Sequence, residues 1–268
     1  MTRTAISPRL AIRIFDSTAD TVRVVAPSDP NQPSTSTGGS GPWARTWPPG
    51  WTVEYVPVTG STNTDLLETA FERPDRSVRA TGHQTAGRGR MDRRWDTPPD
   101  TNLMVSILSH RVPEHAIDLT RRMALAACAA VAEVAGVSAA LKWPNDILVG
   151  DAKLAGILAQ RHARGPVVAG MGLNIGWAPD GAARLGDDVV PADVLEALLV
   201  AYDRLPADLT EVYRDHLTTL GKAVRVHLPA GEVFEGRAVA VEPDGRLVVV
   251  DDCALTRRFD AADVIHLR

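Results

Sequence analysis

Apolar and polar positions alternate over residues 52–58, a period of two that predicts a half-buried strand. Ser61 and Thr62 then stand where a helix N-cap belongs, ahead of Asp65-Leu66-Leu67. Residues 78–81 and 102–109 read as strands, and residues 119–135 as a helix with apolar residues on most faces, hence deeply buried. Residues 147–149, 153–160 and 166–175 predict three further strands, the middle pair a hairpin around Gly150-Asp151. Residues 191–205 and 206–217 predict two helices, each with proline near its first turn. From Gly221 the texture changes to short β-branched runs separated by Pro229-Ala-Gly and Pro243-Asp-Gly turns, and these fifty or so residues suggest a small SH3-like β-barrel.

The N-terminal stretch differs from both. Residues 4–26 carry enough β-branched positions for a hairpin or an arm, and residues 27–50, rich in Pro, Ser, Thr and Gly, read as a flexible linker. The expected division is an arm and linker over 1–50, a catalytic domain over 51–218 and the small barrel over 219–268.

Composition narrows the function classes. With 268 residues, the chain can build one full α/β core plus an appendage. A net charge of −4 argues against a dedicated DNA-binding protein. Cys128 and Cys253 form neither a disulfide framework nor a zinc site, and Cys128 lies in an Ala-rich helical run. The seven histidines show no metal-ligand spacing, so no protein metal site is expected. Neither a secretory signal nor a membrane-length apolar run is visible, which predicts a cytoplasmic protein.

Against that acidic background the segment Gln84-Thr-Ala-Gly-Arg-Gly-Arg-Met-Asp-Arg-Arg-Trp is concentrated positive charge. Gly87 and Gly89 free the backbone to approach a ligand, and the guanidinium groups suit carboxylates and phosphates. Alone, the segment is equally a solvated basic loop or a nucleic-acid patch. A second cluster, Leu141-Lys-Trp-Pro-Asn-Asp followed by Lys153-Leu-Ala-Gly-Ile-Leu, puts Lys142 and Lys153 either side of a turn carrying Asn145 and Asp146. A lysine at the head of an apolar strand is costly if buried unless an anion meets it. The plain alternative is a hairpin with solvent-facing lysines. A third cluster, Val168-Ala-Gly-Met-Gly-Leu-Asn-Ile-Gly, permits close approach of a backbone or a flat ligand. Walker, Rossmann, kinase, zincin and nucleophile-elbow signatures are all absent from the sequence.

Taken in order, Ser61-Thr-Asn, Gln84-Thr-Ala-Gly-Arg-Gly-Arg, Lys142-Trp-Pro-Asn-Asp, Lys153-Leu-Ala-Gly-Ile-Leu and Gly172-Leu-Asn resemble the biotin protein ligases, over about residues 55–176 and with a fitting terminal barrel. The resemblance implies an α+β fold, with a central mixed β-sheet and helices of the class II aminoacyl-tRNA synthetase-like kind, plus the SH3-like barrel. It implies activation of biotin with ATP to biotinoyl-5′-AMP, with Mg²⁺, and transfer to a lysine of a biotin carboxyl carrier protein or an acyl-CoA carboxylase biotinyl domain. By the same resemblance Ser61, Thr62, Asn63 and Gln84 surround biotin. Gly87, Arg88, Gly89 and Arg90 form the loop that orders over biotin and the adenylate. Arg93 and Trp95 extend it towards phosphates and adenine. Lys153 meets the reacting carboxylate and α-phosphate, and Lys153 and Arg90 are the expected catalytic pair. Asn145 and Asn174 face the adenylate with Lys142 in support, and Gly156 and Gly172 complete the ligand-binding set.

Two features depart from the family pattern. Asp92 stands where family members usually carry glycine, and the segment 177–188 is short and divergent. The rivals are a lipoate or octanoate ligase on a related domain, a ligase doubling as a DNA-binding repressor, and a non-catalytic biotin binder. The first fifty residues show no pair of amphipathic helices, which favours a monofunctional enzyme without DNA contact. The retained Lys153 and arginines disfavour the non-catalytic reading. A soluble monomer or weak homodimer, with no membrane partner, completes the expectation.

Overall fold

Strands apolar at nearly every position belong in the middle of a sheet covered on both faces, and that is where Leu103–Ser109 lies. In the computed structural model, which describes residues 13–15, 41–228, 231–260 and 263–267, the chain forms β1 (Arg13–Phe15), β2 (Thr52–Thr59), α1 (Thr62–Glu68), β3 (Ser77–Gln84) and β4 (Leu103–Ser109). Then follow α2 (Ile117–Ala135), β5 (Ala140–Lys142), β6 (Asp146–Val149), β7 (Ala152–His162) and β8 (Val167–Leu173). Helices α3 (Pro191–Arg204) and α4 (Thr210–His216) lead into β9 (Ala223–His227), β10 (Val233–Val241), β11 (Leu247–Val250), β12 (Thr256–Phe259) and β13 (Asp263–His266).

The main sheet runs β2-β3-β4-β8-β7-β6-β5, with β1 beside the end of β7. The β2–β3 and β1–β7 pairs are parallel and the others antiparallel, so the sheet is mixed. Side-chain parity then separates its two faces. Leu103, Val105 and Ile107 of β4 join α2 and α3 in the main core, while Leu108 packs with Leu66, Leu67 and Ala70 around α1. On that second face β7 and β8 present Gly156 opposite Gly172, and Leu158 opposite Gly170. The α1 face is therefore thin in the middle. A hollow opens there.

Helix α2 is buried along most of its length and stops at Gly136 (φ 64°), whose N–H returns to the carbonyl of Ala132. The C-terminal strands form a separate antiparallel sheet in the order β12-β11-β10-β9-β13, the SH3-like unit. Buried Arg121 of α2 anchors it by donating to the carbonyls of Glu242 and Pro243 in the β10–β11 turn, both at 3.0 Å. No helix among the described residues is long and apolar enough to cross a membrane.

Three expectations change in detail. Of the stretch read as linker, residues 41–50 pack against the body: Trp47 is buried, Trp43 stacks on Tyr55 at 4.5 Å, and Arg45 ion-pairs with Asp193 and Glu196 of α3 at 2.7 Å. Tryptophans outweigh their Pro/Gly neighbours because each buries so much apolar area. Residues 27–40 lie outside the described residues, as does the expected N-terminal hairpin or arm apart from β1. Strand β3 continues through Gly82 to Gln84, since its parallel partner β2 keeps pairing as far as Thr59–Gln84. The second of the paired helices begins only at Thr210, as α4.

Candidate active site

Ser61 is the N-cap of α1, as its position predicts, but its side chain makes no capping bond. Gln84, at the end of β3, supplies the cap instead: its Oε1 accepts from the Thr62 backbone N–H at 2.9 Å and lies 3.1 Å from Thr62 Oγ1. A backbone N–H can only donate, so this contact fixes the amide orientation and leaves the Gln84 NH₂ as a donor. Beside it, Ser106 Oγ sits 2.7 Å from Thr62 Oγ1 and donates to Asn63 Oδ1 at 2.6 Å. The Asn63 Nδ2 donates to the Leu158 carbonyl at 3.0 Å and to Gln160 Oε1 at 2.7 Å. Thr62, Asn63, Ser106 and Gln160 are all buried.

Gly170 is required beneath this network. A Cβ there would lie 2.0 Å from Asn63 Oδ1 and 3.0 Å from Ser106 Oγ. Gly172 is required for a different neighbour, since its Cβ would fall 2.2 Å from the indole of Trp95. Trp95 thus lies flat on the glycine pair Gly156–Gly172, with its Nε1 buried and without a partner.

The charged end of the hollow is assembled by hairpins. Lys153, two residues past the Gly150-Asp151 turn, is 40% exposed and bonds Asp146 Oδ1 at 2.6 Å, with its Nζ 5.8 Å from the Trp95 ring. Asn145 donates from Nδ2 to the Ile157 carbonyl at 2.7 Å and accepts from Arg90 Nη1 at 3.0 Å. The Arg/Gly segment closes on itself: Gly89 N–H donates to the Arg93 carbonyl at 2.7 Å and Trp95 N–H to the Gly87 carbonyl at 3.0 Å. Met91 holds the left-handed backbone (φ 55°) that this tight loop needs. Asn174 is anchored through Nδ2 to the carbonyls of Lys153 (3.4 Å) and Ala183 (3.0 Å), while its Oδ1 is buried and unpartnered.

These groups share one cavity of about 700 Å³. Of the residues singled out from sequence, all line it except Gly87, which sits behind the wall where a Cβ would strike the Trp95 carbonyl at 2.2 Å. The cavity meets Arg88, Arg90, Arg93, Arg94, Lys142 and Lys153 but only Asp96 and Asp146 as carboxylates. An excess of fixed cations in a chain of net charge −4 marks a site for an anionic ligand. Its volume suits a ligand of nucleotide-conjugate size.

Comparison with known proteins agrees with the geometry. Residues 55–176 match the model of the biotin/lipoate A/B protein ligase family, and residues 219–267 that of the biotin protein ligase C-terminal domain. The biotin–[acetyl-CoA-carboxylase] ligase of Mycobacterium tuberculosis is 36% identical over 244 residues, 82% of this chain and 91% of that protein. The chain belongs to the biotin protein ligase family. The bifunctional ligase/repressor BirA of Bacillus subtilis is 26% identical, covering 77% of this chain and 72% of its own. In fold, the biotin protein ligase of Aquifex aeolicus, solved with biotin and ATP, matches with a TM-score of 0.69 at 19% identity, over 80% of this chain and 99% of that one.

For a biotin protein ligase, several residues of the site carried no signal in the sequence. Ser106, a single polar position inside an apolar strand, and Gln160, at the polar end of β7, stand behind the cavity wall, and only the fold shows that they meet Asn63. Trp177, Pro179 and Ala182 come from the segment that read as divergent. His227, Val264 and Ile265 reach the cavity from the C-terminal sheet. Their only sequence signal is strand alternation, which does not say what a sheet face meets.

Proposed function

We propose that this cavity binds biotin and ATP side by side and joins them as biotinoyl-5′-AMP, and that the biotinoyl group then passes to a lysine of a biotin carboxyl carrier domain. The observation that carries the reading is the juxtaposition of a satisfied, buried amide–hydroxyl network at Thr62, Asn63, Gln84 and Ser106 with a cationic end at Lys153 and the arginine loop.

The chemistry follows from that order. A ureido ring needs matched donors and acceptors on leaving water, and Ser61, Asn63 and Gln84 offer them at the α1 end. The biotin carboxylate then points along β7 towards Lys153. There a carboxylate oxygen attacks the α-phosphorus, the bond to the β-phosphate oxygen breaks and pyrophosphate leaves. Lys153 exchanges its Asp146 partner for the crowding anions, a charge stabilisation worth most where it is preorganised. Arg88, Arg90 and Arg93 meet the phosphates, Asn145 and the unpartnered Asn174 Oδ1 meet the nucleoside, and Trp95 walls the space between the two substrates. In the second step the carrier amine attacks the acyl carbon, AMP leaves with the bonding electrons, and the amine proton is lost.

Among the described residues no group of three or more His, Cys, Asp or Glu could hold a metal by itself. A nucleotide's Mg²⁺ needs only one or two carboxylates beside the phosphates, and Asp146 in the cavity fits that requirement. The ion would add charge neutralisation at the phosphates.

The test is biotin-dependent ATP–pyrophosphate exchange, followed by label transfer to a purified carrier domain. Exchange with biotin and labelling of the carrier are expected. Exchange only with lipoate or octanoate, or biotin binding without exchange, would overturn the reading.

A further inference from the structure

The turn that carries Asn145 and Asp146 into the cavity is held from behind by the C-terminal unit. Trp143, buried at its root, donates its backbone N–H to Thr219 Oγ1 at 3.0 Å and its indole Nε1–H to the Gly245 carbonyl at 2.9 Å. Thr219 is completely buried, just ahead of β9. Next to it, the segment 217–218 runs parallel to β5: Leu217 bridges Leu141, and Thr218 donates N–H and Oγ1 to the Leu141 carbonyl at 2.8 and 2.9 Å.

The hydroxyl is itself oriented. His266 of β13 places Nε2 3.2 Å from Thr219 Oγ1, and its Nδ1 lies 3.4 Å from Lys222 Nζ. An ammonium only donates, so Nδ1 accepts and Nε2 carries the proton towards Thr219. Burial, then the charges of Lys222 and Lys142, hold the imidazole down at about 4 against a small opposing pull from Asp151, so it is neutral at neutral pH. Thr219 Oγ1 therefore receives two donors, one from the catalytic turn and one from the C-terminal sheet.

We propose that Thr219 is a positioning residue for the nucleotide half of the reaction. Its hydroxyl fixes the Lys142–Asp146 turn so that Asn145 meets Arg90 and Asp146 meets Lys153 at the distances seen. Nothing in the α1 network depends on it. The proposal rests on the adenylation reading above, and wild-type exchange activity is its precondition: absence of that exchange would overturn the reading itself, not this assignment alone.

The test compares Thr219→Val with Thr219→Ser. Valine keeps the volume but leaves the buried Trp143 N–H without an acceptor, whereas serine restores the oxygen. For Thr219→Val, kcat/KM for ATP in the exchange assay should fall about tenfold. Biotin affinity measured by calorimetry without nucleotide should stay within about twofold, and Thr219→Ser should recover most of the lost activity. Unchanged ATP kinetics in Thr219→Val, a parallel loss of biotin affinity, or failure of serine to restore function would each overturn the proposal. Should the valine variant not fold, His266→Ala removes the orienting donor, together with the acceptor of Lys222, and leaves the Thr219 hydroxyl in place. It should lower kcat/KM for ATP about threefold with biotin affinity unchanged, and wild-type ATP kinetics in that variant would overturn the proposal.

Discussion

At the α1 end of the cavity, Ser106, Gln160 and the Leu158 carbonyl hold the Asn63 amide in place before any ligand arrives. At the other end Arg88, Met91, Arg93 and Arg94 stand at the surface on a loop that is closed mainly on itself. The first end is buried polar structure inside a sheet; the second is charge carried on a strap. A neutral ureido ring gains from preorganised partners, because every unmatched polar atom costs desolvation. A triphosphate gains from a cationic cover, and a mixed anhydride from a cover that shields it from water. On the proposed reading, recognition and reaction are built on different kinds of structure, and each kind fails in its own way.

The largest effect should come from the junction of the two ends. Replacing Lys153 with alanine removes the cation proposed for the reacting centre, and exchange should fall about a hundredfold or more. The fold, followed by circular dichroism, should be unaltered because the Lys153 side chain is 40% exposed and its ion pair with Asp146 is at the cavity. Exchange near the wild-type rate would mean that Lys153 does not act at the reacting centre.

Gly170→Ala should damage the preorganised end. Asn63 cannot step aside from a Cβ at 2.0 Å without losing its bonds to Leu158, Gln160 and Ser106. Biotin affinity should drop about tenfold, with about 2 kcal/mol lost from stability in a urea titration. A variant that bound biotin normally would mean that the network is not the recognition element.

Arg90→Ala should act on the strap. Loss of its bond to Asn145 should lower exchange about tenfold and release the intermediate sooner, read as a shorter lifetime of bound adenylate. Equal lifetimes would show that the loop does not retain it.

The effect with the least bearing on turnover is a pH dependence of stability behind the site. The His266 imidazole ordinarily takes its proton near 6.5, but in the fold only near 4. Between those values the unfolded chain binds more protons than the folded one. Stability is therefore present above about 6.5 and is lost as pH falls towards about 4. His266→Gln should lose less stability over that window than the wild type when denaturation midpoints are compared. Parallel slopes would remove His266 from the account.

The two ends also differ in how far the sequence disclosed them. The strap, the lysine turn and the glycine strand were legible because their chemistry is packed into short runs: Arg88 to Arg94, Lys142 to Asp146, Gly170 to Asn174. The network was legible only in part. Thr62, Asn63 and Gln84 stand out beside turns, but Ser106 sits in Leu-Met-Val-Ser-Ile-Leu like any strand polar residue. Its meaning depends on which face the parity of β4 turns towards α1. Gln84 as the cap of α1 was hidden because the helix and its acceptor are 22 residues apart. The contribution of the C-terminal sheet was invisible for the same reason, since the contacts of Trp143 with Thr219 and Gly245 span 76 and 102 residues. Trp43 and Trp47 were lost in a Pro/Gly-rich context that read as linker, although burial of Trp47 and the stacking of half-buried Trp43 on Tyr55 fix that stretch on the body.

The most direct measurement is recovery of the intermediate itself. The full chain, incubated with biotin, ATP and Mg²⁺ but no carrier, should be quenched and its bound small molecules identified by mass spectrometry. Biotinoyl-5′-AMP is expected in near-equal amount to the protein, and far less of it from Lys153→Ala after the same short incubation. Recovery of unreacted biotin and ATP from the wild type would contradict the proposed reading.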